Sequence, residues 1–172
     1  DTIQSRGLGD VYKRQLILTS ILYLAFISTS FSAGSSDTGS KNALYDKAVN
    51  LINVAKKMEE KGKLEKAKKR YQKAQKFLIK SNKEKPNKAD TLNYLGFTTR
   101  KLGDFEGGEK FYLQGLAINP KHKGINEYLG ELYVATNRIN LAKERLAVLK
   151  GCNCEEYDQL KGVIEGLSLI HI

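Results

Sequence analysis

Residues 91–120 read TLNYLGFTTRKLGDFEGGEKFYLQGLAINP, and residues 124–153 read GINEYLGELYVATNRINLAKERLAVLKGCN. The second stretch answers the first after 34 residues: Leu95-Gly96 becomes Leu129-Gly130, Phe105 becomes Ile139, Gly108 becomes Ala142 and Tyr112 becomes Leu146. A period of this length marks stacked supersecondary units, each too small to bury its own apolar face. The small residues Gly96, Gly108, Gly130, Ala67 and Ala142 predict places where two helices cross closely. Large neighbours such as Leu95, Tyr112 and Tyr133 can then interdigitate with the next unit. Turn chemistry agrees with the period. Gly62, Gly103 and Asn137 hold the same place in successive units, where a left-handed residue ends a helix. Asp104 follows Gly103 and is placed to N-cap the second helix, with Glu106 and Glu109 near its positive end.

These residues resemble the tetratricopeptide repeat (TPR), a helix-turn-helix of the same length. The family pattern is a large apolar residue, Leu-Gly and an aromatic on the first helix. A small residue, an aromatic, a second small residue and Pro follow on the second. The middle unit supplies Leu92, Leu95, Gly96, Thr99, Phe105, Gly108, Tyr112, Gly115 and Pro120. The last supplies Asn126, Leu129, Gly130, Tyr133, Ile139, Ala142 and Leu146, then departs at Leu149 and Cys154, as if something other than another repeat covers it. A looser unit lies over residues 48–88. Leu51, Val54, Ala55 and Met58 line its first helix, Gly62 makes the turn, and Leu64, Ala67, Tyr71 and Ala74 line the second. Pro86 falls late there, so the second helix is about one turn longer. The resemblance covers residues 45–150. It implies an all-α chain: a short right-handed α-solenoid of about three units (45–88, 89–122 and 123–154) with a capping helix over 155–166. Leu149, Tyr157, Leu160, Val163 and Ile164 would seal its apolar end.

The chain ends read differently. DTIQSRGLGDVYKRQ (1–15) and the 167–172 stretch ending in SLIHI resemble translated sequencing-adapter read-through, so both are set aside from fold reasoning, and Gly7-Leu8-Gly9 is no phosphate loop. LILTSILYLAFISTSF (16–31) is almost continuously apolar and uncharged. As a helix it would span roughly 24 Å, short of a bilayer core. Ser30, Ser32, Ala33 and Gly34 follow, so residues 16–33 predict a signal-peptide h-region and cleavage zone, with an uncleaved anchor as the alternative and the sole route to a membrane. Residues 34–44 read as a flexible polar leader. The expected location is therefore exported and periplasmic.

Charge is unevenly placed. Residues 41–88 carry 16 Lys/Arg against 5 Asp/Glu, whereas residues 89–166 carry 10 against 11. Lys66, Lys68, Lys69, Arg70, Lys73 and Lys76 cover one helix of the basic lobe, which is either a solvated face or a contact for an anionic surface. Nucleic acid is disfavoured, since no aromatic stacking platform or groove-reading helix accompanies the charge. Cys152 and Cys154 invite a disulfide in an exported chain. Such a bridge closes a very small ring, so strain and easy reduction are expected. The pair reads either as a redox or soft-metal device or as a structural turn locking the capping helix. No further Cys or His lies near to complete a zinc set.

Catalysis has little support in the sequence. With the ends set aside, His122 is the sole histidine, placed after Pro120 as a solvated turn residue. No phosphate loop or nucleotide fingerprint occurs, and no catalytic residue, cofactor or metal is expected. Glu155-Glu156 reads as a first-turn acidic pair. What remains is the groove that the resemblance implies, lined by the first helix of each unit and taking a peptide or protein partner. The matching positions are Asn53 and Lys56; Asn93, Tyr94, Phe97 and Arg100; and Glu127, Tyr128 and Glu131. Exposed Tyr and Phe beside Asn and Arg would give apolar area plus donors for a peptide backbone. The Lys/Asn/Arg clamp that some members use for C-terminal carboxylates is largely absent: Ile52 and Lys56, Tyr94, Gly124 and Tyr128 stand at its positions. The implied function is a non-catalytic interaction module of the cell envelope. The alternative is a redox or metal-handling accessory using Cys152 and Cys154.

Overall fold

The structure is a computed structural model and describes residues 42–166; the apolar 16–33 stretch, both chain ends and the expected leader up to residue 41 lie outside the described residues, while Ala43 and Leu44, expected in that leader, already belong to the first helix. Seven helices follow one another among them: α1 (Ala43–Glu60), α2 (Leu64–Glu84), α3 (Ala89–Lys101), α4 (Phe105–Ile118), α5 (Lys123–Ala135), α6 (Ile139–Leu149) and α7 (Glu155–Ile164). No strand occurs among the described residues, and no helix there is long and apolar enough to cross a membrane. The tightest packing is within the pairs α1–α2, α3–α4 and α5–α6. Each second helix then leans on the next first helix, and α1–α3, α3–α5 and α5–α7 touch along the inner side. The result is an α-solenoid of three hairpins closed by α7, as the 34-residue period between Leu95 and Leu129 requires.

The turns form where the sequence places them. Gly62, Gly103 and Asn137 have φ of +68°, +99° and +59°, the left-handed residue that ends each first helix. Asp104 caps α4, its carboxylate accepting from the Gly107 N–H at 2.8 Å. Pro86 follows an α2 of 21 residues, against 14 for α4 and 11 for α6.

The core runs unit on unit, with Tyr71, Tyr112, Leu95 and Leu129 fully buried. Each such side chain contributes roughly 1.5–3 kcal/mol by leaving water. Two details of the first unit differ from expectation. Its first helix buries Ala48, Ile52 and Ala55, while Val54 is exposed and Leu51 only half-buried. That stripe follows i, i+4, i+7 spacing, which carries Val54 around to solvent. Leu64, expected in the core, is exposed at the open start of α2.

The small residues sit at helix crossings. A methyl group at Gly96 would lie 2.5 Å from the Tyr112 ring, and one at Gly130 would lie 2.5 Å from Leu160. The two glycines are thus equivalent crossing points, but different elements close them. Tyr112 comes from the partner helix of the same hairpin, whereas Leu160 comes from α7. Leu146, which the repeat equates with Tyr112, is only half-buried. Helix α7 therefore substitutes for a missing large residue, with Leu160 and Val163 buried and Ile164 packed against the last cluster. Cys152 and Cys154 are joined in a disulfide in the turn leading into α7, around Asn153 at φ +47°.

Candidate functional site

The first helices of the hairpins, together with α7, enclose a cavity of about 310 Å³. Helix α1 supplies Lys56, Glu59 and Glu60, which share a face because they lie three and four residues apart. Helix α3 supplies Phe97 and, one turn on, Lys101; α5 supplies Glu127, Tyr128 and Glu131; α7 supplies Glu155 and Gln159. Five carboxylates thus face two ammonium groups across the wall.

Part of that charge is internally matched. Arg100 lies beneath the wall at 5 % exposure and its Nη2 donates to Glu131 Oε2 at 2.7 Å, joining α3 to α5. Lys101 pairs with Glu59 at 3.0 Å, and Glu59 also accepts from the Tyr71 hydroxyl at 2.9 Å. Lys56 donates to the Tyr128 hydroxyl at 2.8 Å, with its ammonium 4.9 Å from the Phe97 ring centre and 5.1 Å from that of Tyr128. Burial lowers the Lys56 pKa, while Glu127 and Glu131 act in the opposite direction.

Glu127 is the exception. It is 3 % exposed, and its Oε1 makes no hydrogen bond within the protein. Burial, with the neighbouring Glu131 charge adding to it, pushes its carboxyl up to about 8 against nearby Lys56, which pulls it down. At neutral pH it therefore holds a proton, which a cation seated beside it would displace. Arg100 Nε and Nη1 and the Tyr112 hydroxyl likewise find no partner in the protein, so a polar layer runs under the cavity floor.

Of the groove residues expected from sequence, the structure brings together Lys56, Phe97, Arg100, Glu127, Tyr128 and Glu131. Three do not join them. Asn53 is exposed and lies off the cavity wall. Asn93 is buried, its amide against Gly124, where a methyl group would lie 2.9 Å away. Tyr94 packs against Tyr45 with the two rings tilted, their centres 5.9 Å apart. The picture of exposed Phe and Arg needs correction. Phe97 is 2 % exposed and packs between the Tyr71 and Tyr128 rings, so it forms floor more than contact surface. Arg100 is consumed by Glu131. Helices α1 and α5 both press on α3, the central first helix, and leave its inner face covered.

Other site residues went unread in the sequence. Glu59, Glu60 and Lys101 carry the i+3 and i+4 spacing from Lys56 and Phe97, a signal present in the chain. Glu155 and Gln159 carry none, because only the return of α7 beside α5 brings them there. His122 is also corrected: it is no solvated turn residue but the N-cap of α5, its Nδ1 accepting from the Ile125 N–H at 3.1 Å. Nε2 then bears the proton and donates to Asp90 at 3.0 Å. Among the described residues no group of three or more His, Cys, Asp and Glu is arranged to hold a metal ion.

No protein-family model matches the sequence, and no curated protein matches it. Solved structures do match in fold. One is the type III secretion translocator chaperone SycD of Yersinia enterocolitica, with a TM-score of 0.50, 17% identity, and coverage of 73% of this chain and 92% of that one. Another is the first TPR of Spaghetti (RPAP3) bound to the HSP90 peptide SRMEEVD, with a TM-score of 0.49, 20% identity, and coverage of 72% and 94%. The SycD likeness and the hairpin geometry agree: the fold is an all-α solenoid of TPR type.

Proposed function

We propose that this chain is a non-catalytic interaction module that holds a segment of a partner protein along its inner face. The observation that carries the reading is the cavity itself, because each hairpin and the capping helix contribute one wall. At about 310 Å³ it lies at the lower end of ligand pockets, which run roughly 300–1,000 Å³. A single side chain or a short stretch of peptide suits it better than a globular surface. SycD, of the same fold, is a chaperone for secreted translocators, and so also handles other proteins. The apolar 16–31 stretch and a disulfide, a bond that persists in oxidising compartments, support an exported, periplasmic setting. In this reading the Cys152–Cys154 bridge fixes the turn into α7.

A second contact is supported by the exposure of Lys66, Lys68, Lys69, Arg70, Lys73 and Lys76 on α2. An anionic surface held there would be released by salt.

Photo-crosslinking in cells tests the main reading. A benzophenone side chain at Gln159, on the cavity rim, is expected to capture a discrete partner that the same group at Lys69 does not. Equal capture at the two positions, or capture at Lys69 alone, would remove the groove.

A further inference from the structure

We infer that the cavity between α1, α3, α5 and α7 is a subsite for one basic side chain, a lysine or arginine of the bound segment, with Glu127 as its counter-charge. The inference rests on the groove reading above and adds what the groove selects.

Three observations converge on it. The wall carries five carboxylates and two ammonium groups, and the internal pairs Lys101–Glu59 and Arg100–Glu131 leave Glu60, Glu127 and Glu155 facing Lys56 alone. Glu127 is nine-tenths buried or more, lines the cavity, and has an oxygen without a hydrogen-bond donor. An acceptor left so costs about 1–3 kcal/mol, which a ligand N–H would return. Finally, Lys56 demonstrates that an ammonium group is accommodated here, seated on two aromatic rings and a tyrosine hydroxyl.

The chemistry discriminates against other occupants. A peptide C-terminal carboxylate would meet like charge. A hard divalent cation wants six or more converging oxygens, and the carboxylates around this cavity do not converge on one point. Their spread fits a longer cationic side chain that enters between the rim residue Glu155 and the buried Glu127, its stem along Tyr128.

Selection of random 12-residue peptides displayed on phage provides the test, with wild type, Glu127→Gln and the exposed-site variant Glu155→Gln as targets. Wild type is expected to enrich peptides with Lys or Arg at one fixed position. For a synthetic enriched peptide, Glu127→Gln should weaken binding about tenfold or more, as loss of a charged hydrogen bond does. Glu155→Gln should weaken it about twofold to threefold. Replacing the peptide's basic residue by norleucine should cost the same tenfold in wild type and almost nothing in Glu127→Gln, the mark of direct coupling. If Glu127→Gln fails to fold, the same coupling is read against Glu155. Enriched peptides without a basic residue, or a basic residue uncoupled from these carboxylates, overturn the inference and leave the groove standing. No enrichment at all overturns both.

Discussion

The middle hairpin, α3–α4, and the last, α5–α6, share a register but are completed differently. Gly96 is closed from within its own unit by the rigid ring of Tyr112. Gly130 is closed from outside by the aliphatic tip of Leu160 on α7. Capping follows the same split: Asp104 caps α4 with its side chain, whereas Arg138 gives α6 no such bond. Their inner faces are also complementary. Asn93, Phe97 and Arg100 in one unit stand opposite Glu127, Glu131 and Val134 in the other at the 34-residue offset, and Arg100 reaches Glu131 across the seam. A self-sufficient repeat sits at the centre, and a dependent one sits at the end. The difference teaches that a repeat can lose its large residue if the next helix supplies it.

The largest test of that asymmetry is truncation of the two equated residues. Tyr112→Ala should destabilise by about 3–5 kcal/mol and Leu146→Ala by about 1 kcal/mol or less, read from urea midpoints at constant slope. Equal losses would collapse the distinction. Leu160→Ala is expected to cost about 2–4 kcal/mol, although it lies outside every repeat. A loss below about 1 kcal/mol would mean that α7 is an ornament on the last unit and not its closing element. Gly96→Ala should destabilise by about 1–3 kcal/mol because the Tyr112 ring cannot yield. Gly130→Ala should destabilise less than Gly96→Ala, by about 0.5–2 kcal/mol: both Leu160 methyls crowd the added group, but an aliphatic side chain on a separate helix gives more readily than a ring, and alanine's helix preference offsets part of the cost.

A separate effect concerns the inner faces and depends on pH. Glu127 is pushed from 4.5 to about 8 by burial, so between those values the folded chain holds a proton that the unfolded chain has lost. Stability contributed by the protonated form is complete below 4.5 and disappears as pH rises through 8. Glu127→Gln, which cannot lose it, should match wild type near pH 4.5 and exceed it by up to about 5 kcal/mol at pH 9, at about 1.36 kcal/mol for each pH unit between the two values. Asn93→Ser at the equivalent place in the middle unit should alter stability equally at both pH values. A wild-type-minus-Gln difference that is flat with pH would show Glu127 ionised throughout.

Local features were readable from the chain because local physics sets them. The left-handed turns at Gly62, Gly103 and Asn137, the cap at Asp104 and the long α2 ending before Pro86 each depend on a few neighbouring residues. The site was half readable. The resemblance to the repeat family placed Lys56, Phe97, Glu127, Tyr128 and Glu131 on one side, yet it carried no information on how closely α1 and α5 press on α3. Phe97 and Arg100 consequently passed for surface residues. The bond between His122 and the Ile125 amide, three residues on, is as local as the Asp104 cap, but Asp90 becomes a neighbour of His122 only when α5 starts against α3.

The sequence alone determined that the chain winds into hairpins with a 34-residue period, since periodicity, small residues and turn residues are properties of consecutive positions. Tertiary structure alone decided that Leu160 closes Gly130, that Arg100 is locked to Glu131, and that Glu127 lies buried with an unbonded oxygen beside a cavity. Those outcomes depend on distances between segments far apart in the chain, and burial, which fixes both packing and charge, is a property of the assembled solenoid.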